Sequence, residues 1–122
     1  MTAKVYYNSA CPVCRAGIDA QRGRMEACGA TDVEWIDVHQ QPERAAECGA
    51  DLEAVRERLR VIDETGSIGV GTEAFARLWQ RTPGQGWAAT IVRLPLVRPL
   101  SQLGYNIFAR LLYLWNRALR HW

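Results

Sequence analysis

Acidic residues are missing from the last 49 positions. All 13 Asp and Glu lie within residues 1–73 beside eight basic residues, whereas residues 74–122 hold seven arginines and no acid. The two parts carry about −5 and +7, although the formal net charge is only +2. Such asymmetry fits an anionic partner or a membrane surface, and it equally fits a solvated helical face. Arginines without a recognition motif do not point to nucleic acid, and no such partner is expected. Histidine occurs only at His39 and His121, which excludes paired-histidine metal motifs and serine-histidine arrangements. A glycine-rich phosphate loop is also lacking, so no nucleotide cofactor is expected. Long apolar runs are absent too: Arg93, Arg98 and Arg110 interrupt the C-terminal stretch before the roughly 18 residues a spanning helix needs.

The opening Met1-Thr2-Ala3-Lys4 runs straight into Val5-Tyr6-Tyr7 without the charged and apolar regions of a signal peptide, so the expected setting is cytoplasmic, soluble or at most peripheral to a membrane. With 122 residues, 48% of them hydrophobic, the chain has material for one cored domain.

Against these absences stand four cysteines, at 11, 14, 28 and 48. In a reducing compartment a close pair is more often catalytic or metal-binding than a permanent crosslink. A zinc or iron-sulfur site would call for a second C-x-x-C, and neither Cys28, Cys48 nor the loop residue His39 supplies one. No metal is expected.

The order of elements gives the pair its setting. Val5-Tyr6-Tyr7 reads as a strand ending at Asn8-Ser9. Pro12 suits the first position of a helix, which is expected over about 12–28 with Cys14, Ile18, Gln21, Met25 and Cys28 as its buried stripe. Residues 33–38 make a second strand. Pro42 starts a short helix ending near Cys48-Gly49, and another follows Asp51 with Leu52, Val55 and Leu59 on one face. Residues 60–63 and 67–70 flank Glu64-Thr65-Gly66 as a hairpin, and Thr72 caps a helix to about Gln80, ended by the turn-forming run from Thr82 and Pro83 to Gly86. The resulting βαβαββα order is an α/β, thioredoxin-like core over about residues 3–82.

Residues 87–121 read as a helical extension with breaks at Pro95 and Pro99 and a long helix from about Ser101. Its apolar stripe is Leu103, Ile107, Leu111, Leu114 and Ala118, with Asn106, Arg110, Tyr113, Arg117 and Arg120 on the other face. Such a stripe usually packs on the domain's own core; a membrane surface or a membrane protein is the other destination.

Cysteines three apart at a helix start allow an exposed first thiol, with the second pointing back at it. Cys11 lies where the helix dipole and unpaired N–H groups favour a thiolate, and Cys14 can resolve a mixed disulfide. Cys28 and Cys48 are expected to be inert small hydrophobes. Arg15 either adds positive potential or is solvated, and Asp37 at the second strand's end either faces the pair or caps a turn.

With these elements placed, Tyr7-Asn8-Ser9-Ala10-Cys11-Pro12-Val13-Cys14 resembles the signature Y-D-G-x-C-P-x-C of the DCC family of thiol-disulfide oxidoreductases. Trp35-Ile36-Asp37, the turn at Gly66, Gly71-Thr72-Glu73-Ala74 and the stretch Tyr105 to Arg110 are similar to further family features. The resemblance implies a thioredoxin-like fold and a redox pair at Cys11 and Cys14. The expected substrate is a protein or glutathione-like thiol or disulfide, and Asn8 or Arg15 could contact glutathione. This chain has Asn8 and Ser9 where the family commonly has Asp and Gly, and asparagine cannot take a proton from a thiol. No proline lies between Pro42 and Pro83, so the cis-proline that faces the pair in thioredoxins has no candidate before Val61.

Overall fold

The computed structural model describes residues 3–29, 32–49, 51–82 and 84–120. Pro83 and His121, the expected end of the extension, lie outside the described residues. The chain forms strands β1 (Ala3–Tyr7), β2 (Val33–Asp37), β3 (Arg60–Ile62) and β4 (Ile68–Val70) and helices α1 (Pro12–Ala27), α2 (Leu52–Glu57), α3 (Thr72–Arg81), α4 (Gly86–Val92) and α5 (Val97–Ala118). A 3-10 helix, Pro42–Cys48, precedes α2.

The sheet order is β2-β1-β3-β4. β1 and β2 are parallel, with Val5 opposite Trp35, and the β1–β3 and β3–β4 pairs are antiparallel. Side chains alternate across a strand, and β1 shows how this divides the core. Val5 joins Ile18, Met25, Val61, Ala74 and Leu78, on the face covered by α1 and α3. Tyr6 joins Ile36, Val38, Ala45, Cys48 and Val55, on the face covered by the 3-10 helix and α2. The result is the three-layer, mixed-sheet α/β arrangement of a thioredoxin-like fold, with the C-x-x-C segment leaving the end of β1.

Local chemistry accounts for most boundaries. Pro12 opens α1, and Asp51 caps α2 through Ala54 N–H. The β3–β4 turn is held by Asp63 Oδ1, which accepts from the N–H groups of Thr65 and Ser67, while Gly66 takes φ 84°.

Several expectations are corrected. Cys28 is exposed at the end of α1, because the helix stops at Ala27 and its buried face is carried by Ile18 and Met25. Thr72 does not cap α3: Gly71 occupies the cap position, and the Thr72 hydroxyl donates to Ser101 O on α5. Pro99 does not interrupt α5, which begins at Val97. It sits in the first turn, where N–H groups have no intrahelical partner to lose.

The largest correction concerns the face that α5 buries. Its most apolar stripe does not pack on the core: Leu103, Ile107, Leu111 and Leu114 are all exposed. The inward face is the less hydrophobic one, with Ala109 and Asn116 buried and Tyr105 and Leu112 half-buried. Specific polar contacts fix this orientation. Tyr105 accepts from Leu59 N–H at 3.1 Å, and Tyr113 hydrogen-bonds Glu53 of α2.

Candidate active site

The loop after β1 is shaped to present a sulfur at a helix start. Asn8 Oδ1 accepts from Ala10 N–H at 3.1 Å, and Asp37 Oδ1, at the end of β2, accepts from Ser9 N–H at 3.2 Å and His39 N–H at 2.9 Å. Asp37 thus acts as the turn cap that ties the cysteine loop to β2. Cys11 then occupies the N-cap of α1, and its Sγ accepts from Cys14 N–H at 3.2 Å. This is the place of a capping serine or aspartate oxygen, so the orphan donors of the first turn are directed at the sulfur.

The electrostatics follow from that placement. The Cys11 thiol is lowered to about 6, mainly by a hydrogen bond from the Cys14 thiol, with further help from the N–H groups of Cys14 and Val13 and the Asn116 side chain; burial works against these. Cys14 moves the opposite way: its thiol donates to Cys11, it is itself buried, and a thiolate beside it opposes a second one. The pair therefore shares one proton, held on Cys14, with the charge on Cys11. Both are free thiols, as are Cys28 and Cys48. Cys48 is buried in the core on the α2 side, and burial pushes its thiol up to about 11.

The structure reverses one detail of the expected exposure. Cys11 is 0% exposed and Cys14 half-buried. Asn116, itself 1% exposed, reaches across from α5 to the Cys11 sulfur. Tyr105 lies near enough to both cysteines to feel their charge, and burial pushes its phenol up to about 12. Its hydroxyl sits on the N–H of Leu59, immediately before β3, the region where thioredoxins carry the cis-proline. No cis peptide bond occurs among the described residues. Gly71 lets Tyr105 come this close, since a Cβ there would stand 2.9 Å from the ring.

Beside Cys14 is a cavity of about 220 Å³, walled by Tyr7, Val13, Phe75, Tyr105, Phe108 and Leu112. Asn8 and Arg58 also line it. Asn8 Nδ2 and Arg58 Nε are buried without a hydrogen-bond acceptor among the described residues. The amide of Asn8 cannot simply be reversed, because its oxygen is engaged by Ala10. The cavity is therefore mainly apolar, with the Asn8 and Arg58 donors and the charged Arg56 and Glu57 side chains on part of its wall.

Of the residues singled out from sequence, Cys11, Cys14 and Asn8 are gathered here, and Pro12 stands exposed at the first position of α1. Arg15 is not gathered: its side chain is 66% exposed and pairs with Asp19 at 3.7 Å, one turn along the helix. Sequence reasoning missed Asn116, Tyr105 and Arg58. Asn116 gave no distinct signal, since α5 carries a second asparagine, Asn106, and a glutamine, Gln102, at other positions. Among the described residues, no group of three His, Cys, Asp or Glu side chains comes together as a metal site.

A chloroplastic protein of Arabidopsis thaliana, described as uncharacterized, is 27% identical over 110 residues, covering 88% of this chain and 49% of the plant protein. The chain thus spans about half the length of that relative. No solved structure matches significantly. Residues 5–118 match the DCC1-like thiol-disulfide oxidoreductase family, from the middle of β1 to the last turn of α5, so the extension that brings Asn116 to Cys11 is part of what is matched. The chain belongs to the DCC1-like thiol-disulfide oxidoreductase family.

Proposed function

We propose that the protein is a thiol-disulfide oxidoreductase in which Cys11 is the nucleophile and Cys14 the resolving thiol. The observation that carries this reading is Cys11 at the N-cap of α1 with its Sγ accepting from Cys14 N–H at 3.2 Å, a placement that favours the thiolate on Cys11 and the proton on Cys14. The Cys11 thiolate attacks one sulfur of a substrate disulfide, forming a mixed disulfide and expelling the other sulfur as a thiolate that takes up a proton. Cys14 then gives up its proton, attacks the Cys11 sulfur and expels the second substrate thiolate. Two electrons pass to the substrate, and a Cys11–Cys14 disulfide remains. The reverse sequence oxidises a dithiol.

The cavity beside Cys14 favours a protein disulfide over glutathione. Its aromatic and aliphatic walls suit an apolar side chain next to the substrate cysteine, and the free N–H groups of Asn8 and Arg58 suit a peptide carbonyl. Glutathione has no apolar side chain to set against the aromatic and aliphatic walls, and the charged Arg56, Glu57 and Arg58 line only part of the cavity. The pair needs no metal or nucleotide for this exchange.

The test is trapping. Cys14→Ser, given a peptide disulfide with a phenylalanine beside its cysteine, should accumulate a mixed disulfide on Cys11, and Cys11→Ser should accumulate none. Turnover by Cys11→Ser equal to that of the unsubstituted protein would remove Cys11 as nucleophile. Faster turnover of glutathione disulfide than of the peptide would remove the substrate preference.

A further inference from the structure

The outward face of α5 is the largest feature that the thiol chemistry does not use. Leu96, Leu100, Leu103, Ile107, Leu111 and Leu114 recur every three or four residues and so lie along one side of the helix. They are between 49% and 83% exposed. Phe108 and Trp115, also exposed, widen the strip along one edge. Arg110 and Arg117, seven residues apart and therefore aligned, run along the other edge. A contiguous exposed patch of this kind on a soluble domain marks a contact surface.

We propose that this face lies on an anionic lipid surface, with α5 parallel to the membrane plane. Three observations select this occupant. The first is charge: residues 86–120 carry five arginines and no acid, and with Arg93 held by Glu73 the exposed Arg98, Arg110, Arg117 and Arg120 complement anionic headgroups. A second copy of the chain across a twofold axis would instead bring like-charged rims together. The second is composition: an apolar strip with aromatic residues on one edge and arginines on the other is the pattern of a helix resting at a bilayer interface. The third is length. Among the described residues no helix is long and apolar enough to cross a membrane, so α5, roughly 33 Å of helix, can lie on a bilayer but not span it. The pairs of Arg110 with Glu57 at 3.6 Å and Arg117 with Glu53 at 4.0 Å are long, and both guanidinium groups remain more than half exposed. They are available to headgroups. Because Asn116 on the opposite face touches Cys11, the docked helix would hold the thiol pair about one helix diameter from the lipid.

Vesicle flotation tests the proposal independently of redox activity. The protein should float with phosphatidylglycerol–phosphatidylcholine vesicles and not with phosphatidylcholine alone, binding should weaken at high salt, and tryptophan emission should shift to the blue. The double variant Ile107→Glu/Leu111→Glu, at exposed positions that do not line the cavity, should lose binding, and Arg110→Gln/Arg117→Gln should bind about 10- to 30-fold more weakly. Circular dichroism checks folding of each variant, and the comparison of lipids with unsubstituted protein stands even if a variant fails to fold. No flotation with anionic vesicles overturns the proposal, as does flotation that survives Ile107→Glu/Leu111→Glu in a folded protein. A dimer in sedimentation that these substitutions dissolve, without vesicle binding, assigns the face to a second copy instead.

Discussion

Cys11 takes the position on α1 that serine or aspartate takes on other helices, and the donors that converge on it there, the Cys14 thiol first, are the source of its acidity. The N–H groups of Cys14 and Val13, the Cys14 thiol and the Asn116 amide all donate to one atom, and together they outweigh the cost of burying its charge. Since the thiolate is the reactive form, alkylation of Cys11 should rise with pH to an inflection near 6 and then level off. Cys14→Ala removes the largest donor and should move the inflection upward. Asn116→Ala should move it upward by less, and Asn116→Asp, which places a carboxylate against the sulfur, by more. An unchanged profile in all three would dismiss Asn116 as a positioning residue. The motif Cys11-Pro12-Val13-Cys14 was legible in the sequence because helix-start chemistry is local. Asn116 was not, because it is brought to the sulfur by packing more than 100 residues along the chain.

Gly71 belongs to the same constellation. It combines φ 67° and ψ −123° with a ring 2.9 Å from where a Cβ would stand. Gly71→Ala should therefore lower stability by about 1–3 kcal/mol in denaturant titration, and it should also disturb the Tyr105 contact with Leu59.

At the level of elements, α5 is the helix that makes this fold differ from a bare thioredoxin core. It supplies Tyr105 and Asn116 to the site and is clasped to α2 through the hydrogen bond of Tyr113 to Glu53. Cys11 has no exposed surface and Asn116 near the end of α5 reaches its sulfur, so loosening that clasp should open a path for a substrate sulfur. Glu53→Ala should accelerate Cys11 alkylation at a pH well above the inflection, where the thiolate population no longer limits the rate. A rate equal to that of the unsubstituted protein would show that access runs by another route. The existence of α5 was readable from its three- and four-residue spacing, but its start at Val97, ahead of Pro99, and its orientation were not. Amphipathicity ranks the faces by hydrophobicity, whereas here Tyr105, Tyr113 and Asn116 find specific partners that turn the weaker face inward. The strands and α1 were legible for the opposite reason: in Val5, Tyr6, Ile18 and Met25 the most apolar positions are also the buried ones.

In the molecule as a whole, the site and the fold are linked through protons. In the dithiol form, Cys11 has a folded pKa of about 6, below that of an unfolded thiol near 8.5. Between those values the unfolded chain binds more protons, so stability should rise with pH across that window. The contribution is complete above the unfolded value and is lost as pH falls through about 6. Thermal melts of the dithiol form against Cys11→Ala should show this slope only where Cys11 is present, and the disulfide form should lack it. The same preference for the thiolate stabilises the reduced protein and makes the disulfide the more oxidising partner.

The most direct test of the central claim is peptide mapping of the protein after equilibration across a series of thiol-disulfide buffers. The account predicts a single two-electron transition that joins Cys11 to Cys14, with Cys48 protected in the core and Cys28 alkylated in both states. A Cys11–Cys14 bridge absent at every poise, or bridging that instead recruits Cys28 or Cys48, would contradict it.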